Sequence, residues 1–206
     1  MKKEARKILI NGAKIYKENL LNKNILIITK TNSKVNSFEV RFPKSAYLHL
    51  TGVQVDKDSI SAKDFFNLCV KRKIRLEDFD FKSNGTTKLK LDVLESALKV
   101  SSSIKMVTAY NGIRPELYTD RLAGNVRACL GLIDKGSYYV PNTLLKTDIR
   151  HESTCIERVI VIMEKNQNDK IYKNISYLAE GIEFEKLDLP KEIKDKIGED
   201  ELEYAI

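Results

Sequence analysis

The stretch that decides the fold is Asn125-Val-Arg-Ala-Cys-Leu-Gly-Leu-Ile-Asp134, followed by Lys135-Gly136 and Ser137-Tyr-Tyr-Val-Pro-Asn142. Two β-rich runs, 125–134 and 137–142, flank a short Asp134-Lys135-Gly136-Ser137 turn, which predicts a hairpin. Further short β runs at 104–110, 116–119 and 156–164 extend the pattern on both sides. Turns this short join antiparallel neighbours, because a parallel crossover needs a dozen residues or more. Upstream the periodicity changes. Over residues 3–21, Ala5, Ile8, Leu9, Gly12, Ile15, Tyr16 and Leu20 fall on one helical face. The runs 24–30 and 36–42 predict a small hairpin across Thr31–Lys34, ended by Pro43. Ser61, with Asp64 three residues on, resembles a capping box and opens a helix burying Ala62, Phe65, Phe66 and Cys69. After Asn84-Gly85 the chain reads mostly as helix through Leu91, Leu94, Ala97 and Leu98, and a closing helix over 168–182 is expected from Ile171, Tyr172, Ile175, Leu178, Ala179 and Ile182.

Helices precede the larger run of strands instead of alternating with it, which predicts an α+β fold. The expected architecture is N-terminal helices with a small hairpin, a mainly antiparallel sheet of about four to five strands, and the closing helix. No internal repeat or low-complexity linker divides the chain. Residues 1–182 read as one body, helical to about 100 with its sheet at about 104–164. Residues 183–206 read as an acidic tail, either a short solvated helix or disordered.

Charge separates along the same boundary. The chain has 36 Lys+Arg against 29 Asp+Glu, a net +7. From Glu183 onward there are nine acidic and four basic residues, so the tail carries −5 and the body +12. A body this basic attracts polyanions, nucleic acid first and an anionic membrane surface second. No stretch has the length of a membrane span. The charged start with no apolar run after it does not read as a signal peptide. Three widely spaced cysteines, none in a CxxC pair, argue against zinc ribbons and disulfide frameworks and point to a cytosolic setting. No GxGxxG or Walker lysine loop occurs.

Only His49 and His151 are present, neither with a partner at metal-ligand spacing, and the carboxylates are scattered, so no transition-metal site and no cofactor is expected, with a carboxylate-bound magnesium ion as the open alternative. A basic protein cutting nucleic acid without metal would most easily cut RNA, whose 2′-hydroxyl is an internal nucleophile. It needs a base, an acid and cations at the phosphate. His49 lies between two leucines, the ordinary setting of a half-buried structural histidine, yet Lys44, Thr51 and Gly52 beside it suit a phosphate-facing loop. Thr86-Thr87-Lys88-Leu89-Lys90 brings hydroxyls and amines to a helix start, which serves as an anion site or as a solvated face. Arg121 and Arg127 bracket a Gly turn, and Pro141-Asn142-Thr143 and Thr147-Asp148-Ile149-Arg150 bracket a loop before the last long strand.

The strings Phe42-Pro43-Lys44-Ser45…Leu48-His49-Leu50-Thr51-Gly52, Gly85-Thr86-Thr87-Lys88-Leu89, Leu117-Tyr118-Thr119-Asp120…Leu122-Ala123-Gly124-Asn125 and Tyr139-Val140-Pro141-Asn142-Thr143 occur in this order. Together, over about residues 15–182, they resemble the fourth phage-encoded subfamily of the barnase–EndoU–colicin–RelE nuclease superfamily. The resemblance implies helices packed on an antiparallel sheet, an active site on the sheet's exposed face, and a metal-independent RNase. It carries over His49, Thr51, Lys88, Tyr118, Asp120, Asn142 and Thr143; Arg127, Asp148 and Arg150 lie close by and suit phosphate contact. On this expectation His49, Lys88, Arg127, Tyr118 and Asp148 serve catalysis, and Thr51, Lys90, Asp120, Asn142, Thr143 and Arg150 bind RNA. The implied setting is conflict between phage and bacterial host in the host cytoplasm. One role is a toxin with a neutralising antitoxin; another is a counter-defence factor that cuts or sequesters a CRISPR guide RNA, or an inactive nuclease fold that blocks a CRISPR effector.

Overall fold

A computed structural model describes residues 1–32, 34–110, 118–153, 155–198 and 202–205. The first helix, α1 (Lys2–Asn19), buries Ala5, Leu9, Gly12, Ala13 and Tyr16, the face its periodicity predicts. The hairpin follows as β1 (Lys23–Lys30) and β2 (Val35–Arg41), paired from Asn24↔Arg41 to Lys30↔Val35. After Pro43 come α2 (Ala46–Thr51), the two-residue strand β3 (Val53–Gln54), α3 (Ala62–Val70), β4 (Asp80–Phe81), which pairs with β3, α4 (Thr86–Ala97) and α5 (Val100–Ser103). The Ser61 cap of α3 forms as expected, its hydroxyl accepting from Asp64 N.

The remaining strands are β5 (Met106–Ala109), β6 (Arg121–Gly124), β7 (Cys129–Asp134), β8 (Tyr139–Leu145), β9 (Ile156–Asn166), β10 (Asn174–Leu178) and β11 (Glu203–Tyr204). Of the expected strand 116–119, residues 116 and 117 lie outside the described residues. The α+β class holds, but the sheet has nine strands, not four to five, in the order β1-β2-β8-β7-β6-β5-β9-β10-β11. The N-terminal hairpin is not a separate ornament. β1 also pairs antiparallel with β9, so seven strands close into a ring. The six successive buried residues of β1 follow from this, since both of its edges are paired and both of its faces covered. The ring's narrowest join is parallel, through the single pair Val40↔Tyr139 between β2 and β8. Beyond that pair, α2 and α4 pack against β8.

The main core lies between the helices and one face of the ring, and includes Ile25, Ile27, Phe38, Val40, Leu130, Leu132, Leu144, Val159 and Ile162. Tyr16 knits the helical side together. Its ring meets Phe42, Tyr47 and Phe66 edge-on at centroid distances of 5.4–5.9 Å, and its hydroxyl donates to Pro43 O at 2.7 Å. Tyr47 Oη donates to Leu9 O at 2.6 Å, tying α2 to α1.

Two expectations fail at the C-terminus. The segment read as a closing helix contains strand β10, antiparallel to β9. The tail does contain a short helix, α6 (Lys191–Lys194), but its described part is docked and not solvated: Phe184, Leu189, Ile193 and Ile197 are buried with Leu26, Ile28, Ile160, Val161, Met163 and Tyr172 on the outer face of the sheet. Its carboxylates dominate the composition, but the four apolar side chains between them determine where it sits.

Candidate functional site

Four distant segments meet where α2 and α4 flank β8. Gly52 ends α2 in the left-handed conformation, φ 68°, donating its N–H to Leu48 O, and leaves His49 on the exposed side of the last turn. Thr87 joins the two helices: its hydroxyl donates to Gly52 O at 2.6 Å and accepts from Lys82 N at 3.0 Å. One turn along α4, Lys90 lays its stem across Gly52, where any Cβ would stand 2.6 Å from Lys90 Cδ. The ammonium donates to Thr143 Oγ1 at 2.8 Å and to His49 O at 3.1 Å.

On the sheet side the β7–β8 register steps from Gly131↔Thr143 to Leu132↔Pro141, so Asn142 is the extra residue of a bulge. Its amide donates to Tyr118 O, and its Oδ1 lies 3.2 Å from the Thr119 hydroxyl, which is also 3.0 Å from Leu132 O. Gly131 makes this convergence possible. A Cβ there would lie 2.5 Å from Thr143 Cγ2, 2.9 Å from Thr119 Oγ1 and 3.3 Å from Asn142 Oδ1. His49, Lys90, Thr143, Asn142, the Tyr118 carbonyl and the Thr119 hydroxyl thus form one connected group. Tyr118 itself is 85% exposed beside it.

The electrostatics suit proton transfer. Partial burial holds the His49 pKa below its ordinary 6.5, and the Lys90, Lys82 and Lys57 charges add to this, so the imidazole stays neutral at physiological pH. Burial, with a smaller contribution from Lys82, lowers Lys90 to about 8. His49 is therefore available as a proton acceptor, and an ammonium close to its own titration point is bonded to its backbone carbonyl.

Other expected residues sit elsewhere. Lys88 points away from the site, into a groove with Met1, Glu4, Ile8 and Leu89 between α1 and α4. Lys88 and Lys90 are about 200° apart on the helix, so only one can face β8. Thr51 is buried and donates to Leu48 O at 2.8 Å, so it closes α2 and offers no hydroxyl to a ligand. Asp120 accepts from Asp134 N at 2.7 Å and fixes the β6–β7 register. Arg127 is on the exposed β6–β7 turn, and Asp148 and Arg150 lie on the neighbouring single-turn helix, joined to that turn by Ile149 N donating to Asn125 O at 3.1 Å. The Arg150 guanidinium and backbone N–H hold the Asp148 carboxyl down at about 2. Among the described residues, no hydrogen bond or ion pair links these three to the Lys90 group.

Sequence reasoning missed a second polar centre. Glu157 in β9 accepts from the Thr29 hydroxyl and from Asn36 Nδ2 at 3.0 Å, and Arg121 Nη1 lies 3.7 Å from its other oxygen. Arg121 Nε donates to Tyr139 Oη at 3.1 Å, with the guanidinium 5.5 Å from the Phe38 and Tyr139 ring centroids. Glu157 pairs across the sheet with Val107, and Arg121 with Leu132, so both point to the helix-facing side. The available signal was Glu157 at the head of the continuous apolar run Val159–Met163, but without the strand's facing Glu157 could not be told from a solvated carboxylate. Among the described residues, no three His, Cys, Asp or Glu side chains converge as metal ligands would.

A search of curated proteins and a search of solved structures each returned no match. Residues 8–181 match the model of the phage-Barnase-EndoU-ColicinE5/D-RelE like nuclease4 family, PBECR4. With that match covering most of the chain, and with all four motifs drawn to one seam between helices and sheet, the protein belongs to the PBECR4 nuclease family.

Proposed function

We propose that the protein is a metal-independent RNA endonuclease acting at the His49–Lys90–Thr143 seam. Neutral His49 takes the proton of the 2′-hydroxyl, and the freed oxygen attacks phosphorus. The P–O5′ bond breaks to leave a 2′,3′-cyclic phosphate, and the departing O5′ takes a proton from Lys90. Before that transfer the Lys90 ammonium, aimed by Thr143 Oγ1 and His49 O, offsets charge on the pentacoordinate phosphate. Asn142 sets the bulge, and the exposed Tyr118 ring gives a base a surface to stack on. The observation that carries the reading is Lys90, a cation lowered to about 8 and held between the histidine's own helix and the bulged strand. The donors gathered there are nitrogen and hydroxyl groups, which fits acid–base chemistry at an RNA phosphate. Bacterial host RNA and CRISPR guide RNA are the substrates that the family's phage setting brings forward, with an antitoxin or a CRISPR effector as partner. The −5 tail packs on the outer face of β1, β9 and β10, which favours cleavage over inhibition by a nucleic-acid-mimicking tail.

Incubating the pure protein with total RNA and with a guide RNA in EDTA, then mapping the ends, tests this. Cleavage with 2′,3′-cyclic phosphate ends is expected, lost in His49→Ala with the thermal unfolding midpoint retained. Wild-type cleavage by His49→Ala overturns the assignment of the base, and ends bearing a 5′-phosphate overturn attack by the 2′-hydroxyl.

A further inference from the structure

On the far side of the helical layer, α1 carries Lys3, Lys7, Lys14 and Lys17, all exposed. Their spacing of four, seven and three residues sets them in one line along the helix. The helix is 18 residues long, so the line spans about 20 Å at 1.5 Å per residue. Lys14 and Lys17 share a shallow groove of about 170 Å³ with Arg72, which follows α3. Arg72 is flanked by exposed Lys71 and Lys73 and sits at φ 58°, a left-handed conformation uncommon for a side chain of this size. Arg6 holds that turn, donating from Nε to Ile74 O at 2.6 Å and from Nη2 to Arg72 O at 3.1 Å. One arginine is thus used to fix the backbone of three consecutive cations.

Some surface cations are paired with carboxylates and others are not. Lys2, Lys23, Arg41, Lys146 and Arg150 each reach a carboxylate within 4.0 Å. Among the described residues, Lys3, Lys14, Lys17, Lys71, Arg72 and Lys73 reach none, and Lys7 has only Glu4 at 3.5 Å. Clustered like charges repel one another, and only Glu4 and Glu18 stand among these seven cations, Glu18 in the groove itself, so the surplus is matched to a ligand supplying several anionic groups in a row.

We infer that this ridge is a second RNA site, a track for the sugar–phosphate backbone that holds long substrates while their scissile phosphate lies at Lys90. The inference rests on the RNA-nuclease reading above. The helix α1 packs directly against α4, so one helix spacing of about 8–10 Å and the outer radius of each helix, about 5–6 Å, separate the ridge from Lys90, roughly 20 Å in all. Roughly five or six nucleotides cross that distance at about 3.4 Å per nucleotide. A dinucleotide therefore fits the catalytic seam alone, whereas an RNA of about 20 nucleotides engages both.

The test compares wild type with Lys14→Glu/Lys17→Glu/Arg72→Glu and with the milder Lys14→Gln/Lys17→Gln/Arg72→Gln, each checked by circular dichroism. Binding to a 20-nucleotide single strand, measured in the His49→Ala background across a salt series, should weaken about tenfold or more at low salt. The slope of log K against log salt should become shallower by about 2, because three phosphates are no longer neutralised and each accounts for about 0.7 of the slope. Cleavage of a dinucleotide by the His49-containing proteins should be unchanged. If the variants keep wild-type affinity and slope on the long strand, or lose dinucleotide cleavage equally, the ridge is not an RNA track. A wild type that neither binds nor cuts RNA removes the nuclease reading as well, whereas a wild type that cuts RNA beside unaffected variants removes the ridge alone.

Discussion

Gly131→Ala offers the sharpest check on the geometry of the seam. The added Cβ would stand 2.5 Å from Thr143 Cγ2 and 2.9 Å from Thr119 Oγ1, against about 3.5–4.0 Å for ordinary carbon contact. Thr143 cannot swing aside, because its β-branched side chain is stiff and its hydroxyl accepts from Lys90. The strands must part by about 1 Å, and overpacking of this kind costs about 1–3 kcal/mol. Thr143→Ser removes the obstructing methyl and keeps the hydroxyl; alone it costs about 0.8 kcal/mol for the lost buried group. The double variant should therefore be more stable than Gly131→Ala, although its second change is itself destabilising, with a coupling of about 1–2 kcal/mol. Rescue stays partial, since Thr119 Oγ1 remains close. Urea unfolding at constant m reads the stabilities, and RNA cleavage should fall in Gly131→Ala and return in the double variant. A double variant whose loss equals the sum of the single losses within about 0.5 kcal/mol refutes the contact and the proposed convergence on Gly131.

Three further outcomes follow, two from the same site and one from the Glu157 centre. The pH–rate profile should be bell-shaped, with an acid limb below 6.5 because the His49 pKa is lowered and the neutral form is the base, and an alkaline limb near 8 as Lys90 loses its proton. Lys90→Arg stays charged and should lose the alkaline limb; a limb still near 8 in that variant assigns it to another group. Lys90→Ala should slow cleavage about 10²–10³-fold, whereas Lys88→Ala, on the opposite side of the helix, should stay within about twofold; the reverse order would restore Lys88 to the site. Glu157→Ala leaves Arg121, Thr29 and Asn36 without their shared acceptor and should cost about 2–3 kcal/mol in urea unfolding, below the figure for fully buried pairs because the Arg121 side chain keeps 30% exposure. A loss under about 1 kcal/mol would show that the Glu157 group does not brace the ring.

The helices and hairpins were legible wherever one local rule sufficed: a repeating apolar face for α1, a capping serine for α3, and turn residues for β1–β2 and β7–β8. The extent of the sheet was not legible, because the β1–β9 and β2–β8 pairings join residues about a hundred positions or more apart and leave no local trace. The apolar residues at 171, 172, 175, 178 and 179 imitate a helical period for a definite reason. β10 pairs Ile175 with Met163 and Tyr177 with Ile162, and that bulge inserts a residue which breaks the two-residue alternation of a strand. The site divided in the same way. The motif segments converge, but which lysine of Thr86–Lys90 faces the strand depends on helix rotation, and whether Thr51 offers its hydroxyl depends on burial.

The placement of the seam ties activity to folding in a particular manner. His49 and Lys90 come from helices, Asn142 and Thr143 from the sheet, and neither layer alone holds the whole group. Its cohesion runs through the Thr87–Gly52 and Lys90–Thr143 bonds and through two glycines that leave room for them. Lys90 is partly desolvated and its charge disfavoured by burial, so the docked state carries an electrostatic cost that the aromatic packing around Tyr16 and Tyr47 must offset. Loosening that packing should let Lys90 return to water and regain its ordinary basicity before the sheet unfolds. Loss of the alkaline limb near 8 would then precede loss of β structure under mild denaturant, which distinguishes a site built on the docking of two layers from one built within the sheet.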